Sequence, residues 1–158
     1  MDYIRGRPEG VSFRDASTRI DGFPMIKPPW GRITAINMNT GDIAWQIPHG
    51  EAPDNIRNHP LLEGADIGRT GWPGRVGTLV TKNLIIAGET GYYTSEGGEG
   101  GAMLRAYDKA TGEERGAVHM TAPQTGSPMT YEVNGQQYIV LATSGGGQTA
   151  PLLAYRLP

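Results

Sequence analysis

Cysteine is absent from the 158 residues. That removes disulfides, thiolate metal sites and a thiol nucleophile, and leaves the compartment open, since an exported chain need not carry cysteine. An excess of charge is missing too: Lys and Arg number 14 against 16 Asp and Glu, a net charge of -2. Such a chain has no positive field to draw in a phosphate backbone, so nucleic acid is not an expected partner. No stretch approaches the about 18 apolar residues of a membrane helix, and the opening MDYIRGRPEG lacks the apolar centre of a signal peptide. As given, the chain reads as soluble and unexported. Also lacking are GxxxxGK(S/T), GxGxxG behind a strand, HExxH and GxSxG, the commonest marks of phosphate, dinucleotide, zinc and serine-hydrolase chemistry. What is plentiful is turn chemistry. The 24 glycines and 12 prolines fall short of a disordered composition and suit many short strands joined by tight turns, which favours an all-β fold. The length allows one domain with a real core, and is short for an enzyme carrying a large cofactor.

Residues 1–29 mix charge with Gly and Pro without a sustained period and read as an irregular lead-in. Residues 30–158 read as the folded domain. It opens on WGRITAINMNTGDIAWQI (residues 30–47), a β-hairpin whose loop Asn39-Thr40-Gly41 suits a type I turn closed by a G1 bulge, with Gly41 taking the positive φ. Residues 48–77 form a long polar connection in which NHPLLEG supplies a helical turn, and a connection of that length tends to be functional or disordered. TLVTKNLIIAG (residues 78–88) predicts a second hairpin around Lys82-Asn83, with Asn83 favouring the left-handed region. GETGYYTSEGGEGG follows as a loop. The strands Met129–Val133 and Gln137–Thr143 flank the strong hairpin signal Asn134-Gly135.

The opening hairpin recurs. Ala35, Asn37, Thr40 and Gly41 match Ala106, Asp108, Thr111 and Gly112 at a spacing of 71 residues, and Ala154-Tyr155 echoes Ala106-Tyr107 after a further 48. Antiparallel four-stranded units repeating at roughly 40 to 50 residues are the mark of propeller blades, with inserted loops stretching the period. The expected architecture is therefore a partial β-propeller of about three four-stranded antiparallel blades.

Other candidate groups have plainer readings. His49, His59 and His119 include no pair at helical ligand spacing, and read as surface or loop residues. Asp42 with Glu51, and Glu113 with Glu114, flank turns and read as solvated rather than as a paired-carboxylate site. Gly97-Gly98, Gly100-Gly101 and Gly145-Gly146-Gly147 read as flexible loops, since no amphipathic helix follows to bind an anion. Tyr92-Tyr93 reads as blade packing, with stacking on a sugar ring as the alternative.

AINMNTGDIAW (residues 35–45) is similar to the tryptophan-docking motif of the quinoprotein dehydrogenases. Further, PPWGRITAINMNTGDIAW, LRAYDKATGE, GSPMTYEVNGQQYIVLATSGGG and LLAYRLP stand in the order of the final blades of the glucose-type members. The resemblance covers roughly residues 24–158. It implies an eight-bladed ring binding pyrroloquinoline quinone (PQQ), of which this chain is a C-terminal fragment of about three blades. The ring's calcium ligands and catalytic residues would lie mainly in blades outside the chain. Trp45 would be the peg against the next blade, whereas Gly116 stands where the second copy should have its Trp. The resemblance also implies Trp72 and Arg75 as cofactor-binding residues, Trp72 lying against the planar quinone and Arg75 pairing with one of its carboxylates. The alternative is that Trp72 only plugs a loop and Arg75 is solvated. No catalytic or metal-binding residue is assigned. Implied partners are a sugar or alcohol substrate, a quinone or cytochrome electron acceptor, and missing blades or a second copy. The implied location is periplasmic, and the isolated chain is expected to be inactive. The other expectation is a non-enzymatic β-repeat module with a structural or interaction role.

Overall fold

The computed structural model describes residues 19–94, 100–144 and 151–157. A two-residue ladder pairs β1 (Arg19–Ile20) with β2 (Phe23–Pro24). It folds back within the lead-in, through Asp21 and Gly22 at φ 49° and 85°, and does not extend the sheet that follows. That sheet is the opening hairpin alone, β3 (Arg32–Ile36) and β4 (Ile43–Pro48), antiparallel with a bulge at Ala35/Ile36. After it come α1 (Asp54–Arg57) and a 3-10 turn at Pro60–Leu62, where the His59 side chain accepts a hydrogen bond from the Leu61 amide.

The second sheet holds β5 (Leu79–Val80), β6 (Leu84–Gly88), β8 (Gly100–Asp108) and β9 (Glu114–Met120) in the order β5-β6-β8-β9, and β7 (Tyr93–Thr94) pairs the first two residues of β8. In the third sheet β11 (Gln136–Ala142) lies between β10 (Met129–Val133) and β12 (Leu152–Arg156). All strand pairs are antiparallel. The molecule is thus a partial propeller, and among the described residues its three blade-like sheets hold two, five and three strands instead of the expected four each.

The repeated turn has the same construction in both copies. Asn37 Oδ1 accepts from the Asn39 amide at 3.0 Å, and Asp108 Oδ1 from the Ala110 amide at 2.9 Å. Thr40 Oγ1 accepts from Asp42 N and Thr111 Oγ1 from Glu113 N. Gly41 and Gly112 hold φ of 79° and 77°, and a bulge sits at the same step of each ladder. An Asx turn followed by a left-handed Gly accounts for the Asn/Asp and Gly positions. Asn134-Gly135 also behaves as its sequence suggests, with both residues at positive φ, 52° and 76°. Asn83 does not: among the described residues only Asp21 and Asn134 are non-glycines at positive φ. The β5–β6 turn is closed instead by Thr81, whose amide donates to Leu84 O at 2.8 Å and whose Oγ1 accepts from Leu84 N at 3.0 Å.

Trp45 spans the first two sheets. Its indole N–H donates to Lys109 O at 3.1 Å, and its ring lies over Gly112, where a Cβ would come within 2.8 Å of it. Between the second and third sheets Ile86, Ala102, Leu104 and Met120 meet Ile139 and Leu141 in the main apolar cluster. A Cβ at Gly116 would meet nothing within 4 Å. Tyr155 packs against the apolar cluster instead, and its hydroxyl donates to His119 O at 3.2 Å. The β8 strand is covered on both faces, which is why its run AMLRAYD shows no clean alternation. Gly100 and Gly101 begin this strand rather than forming a flexible loop, and a Cβ on Gly101 would overlap Met120 O.

Candidate functional site: the Trp72 loop and the charged network beneath it

The long connection after β4 is pinned by main-chain hydrogen bonds. Trp30 N donates to Thr70 O at 2.7 Å, His49 N to Gly31 O at 3.0 Å and Trp72 N to His49 O at 2.9 Å. Glycine is required where these backbones cross. A Cβ on Gly31 would overlap the Trp72 main chain, and one on Gly71 would overlap Gly31. Gly71 also holds φ 70°, and Gly50, at φ 95°, leaves no room for a Cβ beside Trp72. The Trp72 indole then lies across Gly91, where any side chain would enter the ring. Trp72 is half-buried, and three residues on Arg75 is exposed with no hydrogen bond or ion pair to any described residue. The two sequence-predicted site residues therefore share one loop, and no hydrogen bond joins their side chains.

Beneath the loop lies a network that sequence reasoning missed. Arg105, on β8, is 3% exposed, and its Nε donates to Glu89 Oε1 at 2.6 Å. Its Nη2 donates to Glu51 Oε1 at 2.6 Å and its Nη1 to Glu114 Oε2 at 3.1 Å. Arg69 closes the ring, reaching Glu51 at 3.2 Å and Glu114 at 2.5 Å. Glu89, 1% exposed, also accepts from the Met103 amide at 3.1 Å. Burial alone would lower the Arg105 pKa, but the charge and hydrogen bond of Glu89, with Glu114 and Glu51 behind it, raise it above its ordinary value. Glu114 is held below its ordinary value: burial works the other way, but hydrogen bonding to Arg69 and the charge of Arg105 prevail.

Glu51 and Glu114 are therefore ion-paired and not merely solvated, which corrects the reading from their turn positions: blade packing brings Arg105 to them from the neighbouring strand. His49 is a second correction. It is buried, with Nδ1 3.0 Å from the Tyr107 hydroxyl and Nε2 3.2 Å from Gly88 O. Nε2–H donates to the carbonyl, which leaves Nδ1 to accept from Tyr107. Burial pushes the His49 pKa below its usual 6.5, partly offset by that carbonyl. Burial likewise pushes the Tyr107 phenol up. Gly88 N donates to Gln124 Oε1 at 2.6 Å, and Gln124 Nε2 donates to Gly77 O and Gly126 O. His59 is also more than a loop residue, with Nε2 2.9 Å from Asp21 O and its ring 4.2 Å from that of Phe23. The one signal available for the network was a lone Arg inside the apolar run AMLRAY, since a charge on an inner strand demands partners.

No three His, Asp or Glu side chains cluster as metal ligands among the described residues. Tyr92 is exposed. Gly97, Gly98 and Gly145-Gly146-Gly147 lie outside the described residues.

Residues 3–139 match the family model described as PQQ: Glucose/ethanol/alcohol dehydrogenase, beta-propeller domain. The chain is 34% identical, over 98% of its length, to a probable quinate dehydrogenase (quinone) of Xanthomonas campestris pv. juglandis, covering 19% of that protein. Over 97% of its length it is 28% identical to quinoprotein glucose dehydrogenase A of Acinetobacter calcoaceticus, covering 18% of it. A glycerol dehydrogenase large subunit of Gluconobacter thailandicus is 30% identical over 89% of the chain, which covers 18% of that subunit. The chain thus spans about a fifth of the length of these relatives. With its antiparallel blades, repeated turns and this match over most of its length, the chain belongs to the PQQ glucose/ethanol/alcohol dehydrogenase beta-propeller family.

Proposed function

We propose that this chain forms one wall of the cofactor site in a longer PQQ-dependent dehydrogenase that oxidises a sugar or another alcohol. The observation that carries the reading is the Trp72 loop. Main-chain bonds and four glycines present a half-buried indole, and an exposed Arg without a partner among the described residues follows it. A planar tricyclic quinone bearing carboxylates suits that pair, with Trp72 offering a face for stacking and Arg75 a guanidinium for one carboxylate. Bound, the quinone would accept a hydride from the carbinol carbon. The chain's own contribution is to hold the aromatic ring and to place positive charge beside it.

Quinate, glucose and glycerol, the substrates named for the relatives, share a secondary or primary carbinol, and that class is the substrate proposed here. Calcium, a quinone or cytochrome acceptor and a periplasmic location belong to the same reading by family resemblance. Glu51, Glu89 and Glu114 are engaged with Arg side chains, so none is proposed as the base that accepts the substrate proton.

The test is equilibrium quinone binding in a longer protein containing this chain. Arg75→Gln should weaken binding about tenfold or more, the worth of a charge-assisted hydrogen bond. Trp72→Ala should weaken it by at least as much. Unchanged affinity in both variants would overturn the reading that this chain walls the quinone site, and absence of quinone binding by the longer protein would favour a non-catalytic β-repeat module.

A further inference from the structure

Of the short segments that hold Trp72, three carry a charged member of the network close by, and the fourth, at Gly31, carries none. Glu51 lies two residues beyond His49, whose carbonyl accepts from Trp72 N. Glu89 lies two residues before Gly91, over which the indole lies. Arg69 lies three residues before Trp72 itself. Arg105 touches the first two directly, at 2.6 Å each, and Arg69 joins both Glu51 and Glu114.

We infer that Arg105 is the positioning residue for Trp72: from β8 its guanidinium ties Glu51 and Glu89 together and so sets the width of the slot in which the indole sits. The geometry asks for arginine. Three carboxylates approach three different nitrogens of one planar fork, at 2.6, 2.6 and 3.1 Å, which an ammonium group on a flexible stem does not reproduce. The device is also stiff, because Glu89 and Arg105 are almost wholly buried and an unpaired charge there is costly. Among the described residues no side-chain hydrogen bond holds the Trp72 indole, so its place depends on the backbone that the network holds. The consequence for cofactor binding rests on the quinone reading above, but the positioning itself does not.

The experiment uses the whole chain labelled with 5-fluorotryptophan, whose three tryptophans, Trp30, Trp45 and Trp72, give three fluorine resonances assigned by single Trp→Phe substitutions. Arg105→Lys, checked for fold by circular dichroism, should shift or broaden the Trp72 resonance and leave those of Trp30 and Trp45 in place. Arg115→Lys, in the exposed pairs with Asp108 and Glu113, should move none. A Trp72 signal unchanged in folded Arg105→Lys, or all three signals moving together, overturns the inference. Should Arg105→Lys fail to fold, Glu89→Gln is read in the same way, and failure of both to fold makes the network purely structural and overturns it as well. In the longer protein Arg105→Lys should weaken quinone binding at least tenfold. If Trp72→Ala and Arg75→Gln leave binding unchanged while the Trp72 resonance still responds to Arg105→Lys, the quinone reading falls and the positioning stands.

Discussion

His49 shows how far a residue's role depends on what is folded over it. In sequence it is a polar residue after Pro48, yet the chain buries it between the Tyr107 hydroxyl and Gly88 O. Its lowered pKa has a definite sign in stability. Between the folded pKa and the ordinary value of 6.5, the unfolded chain binds a proton that the native His49 refuses. Its contribution is therefore full above about pH 6.5 and is lost as the pH falls below that. The urea midpoint should drop between pH 7.5 and 5.5 in the native sequence, and drop less in His49→Gln, which removes the titration; equal drops would show that the dependence arises elsewhere. Gly91 gives a second prediction at this scale. Gly91→Ala places a methyl inside the Trp72 ring, so the indole must leave its slot, and single-tryptophan fluorescence should shift to the red with increased acrylamide quenching. Trp72 was legible only through the family resemblance, which gives its loop a place. Arg105 was not, since one-dimensional spacing does not show which carboxylates a β8 side chain will meet across two sheets.

Among the elements, the two Asx turns allow a controlled comparison. Gly41 and Gly112 share almost the same φ, 79° and 77°. A Cβ at Gly41 meets nothing within 4 Å, whereas one at Gly112 comes within 2.8 Å of the Trp45 ring. Gly41→Ala should thus cost only the left-handed strain, about 1 kcal/mol. Gly112→Ala should add an overpacking term of about 1–3 kcal/mol, read as the difference between their chemical-denaturation free energies. Equal losses would mean that Trp45 does not bear on Gly112 in solution. Turn chemistry of this sort was readable beforehand, because the Asn/Asp and Gly positions act on backbone within a few residues. Asn83 shows where that reading stops: its propensity favoured the left-handed region, but Thr81 closes the same turn through its side chain and the strain is not needed.

At the level of the whole molecule, strand count and exposure determine how the chain behaves alone. The third sheet is exposed along β10, with Met129, Tyr131 and Val133 open and Tyr131 stacked on Tyr138 at 5.2 Å, and Leu152 of β12 is 74% exposed. Edges of this kind invite further pairing. Light scattering on the isolated chain should give a concentration-dependent mass above 17.0 kDa, reduced by Tyr131→Lys; a monomer at all concentrations would overturn this. Composition, turn residues and the spaced repeat established by themselves that the chain is an all-β array of blade-like units, because strand alternation and turn geometry are local properties. Trp72 and Arg75 came from the resemblance of the sequence to the quinoprotein dehydrogenases and not from these local signals. Only the tertiary structure decided that, among the described residues, one sheet has five strands while its neighbours have two and three, that Trp45 rests on Gly112, and that His49, Glu51, Glu89 and Glu114 gather around Tyr107 and Arg105. Those facts depend on which faces of different sheets meet, and burial, which sets the energetics of every charge in the network, exists only once they have met.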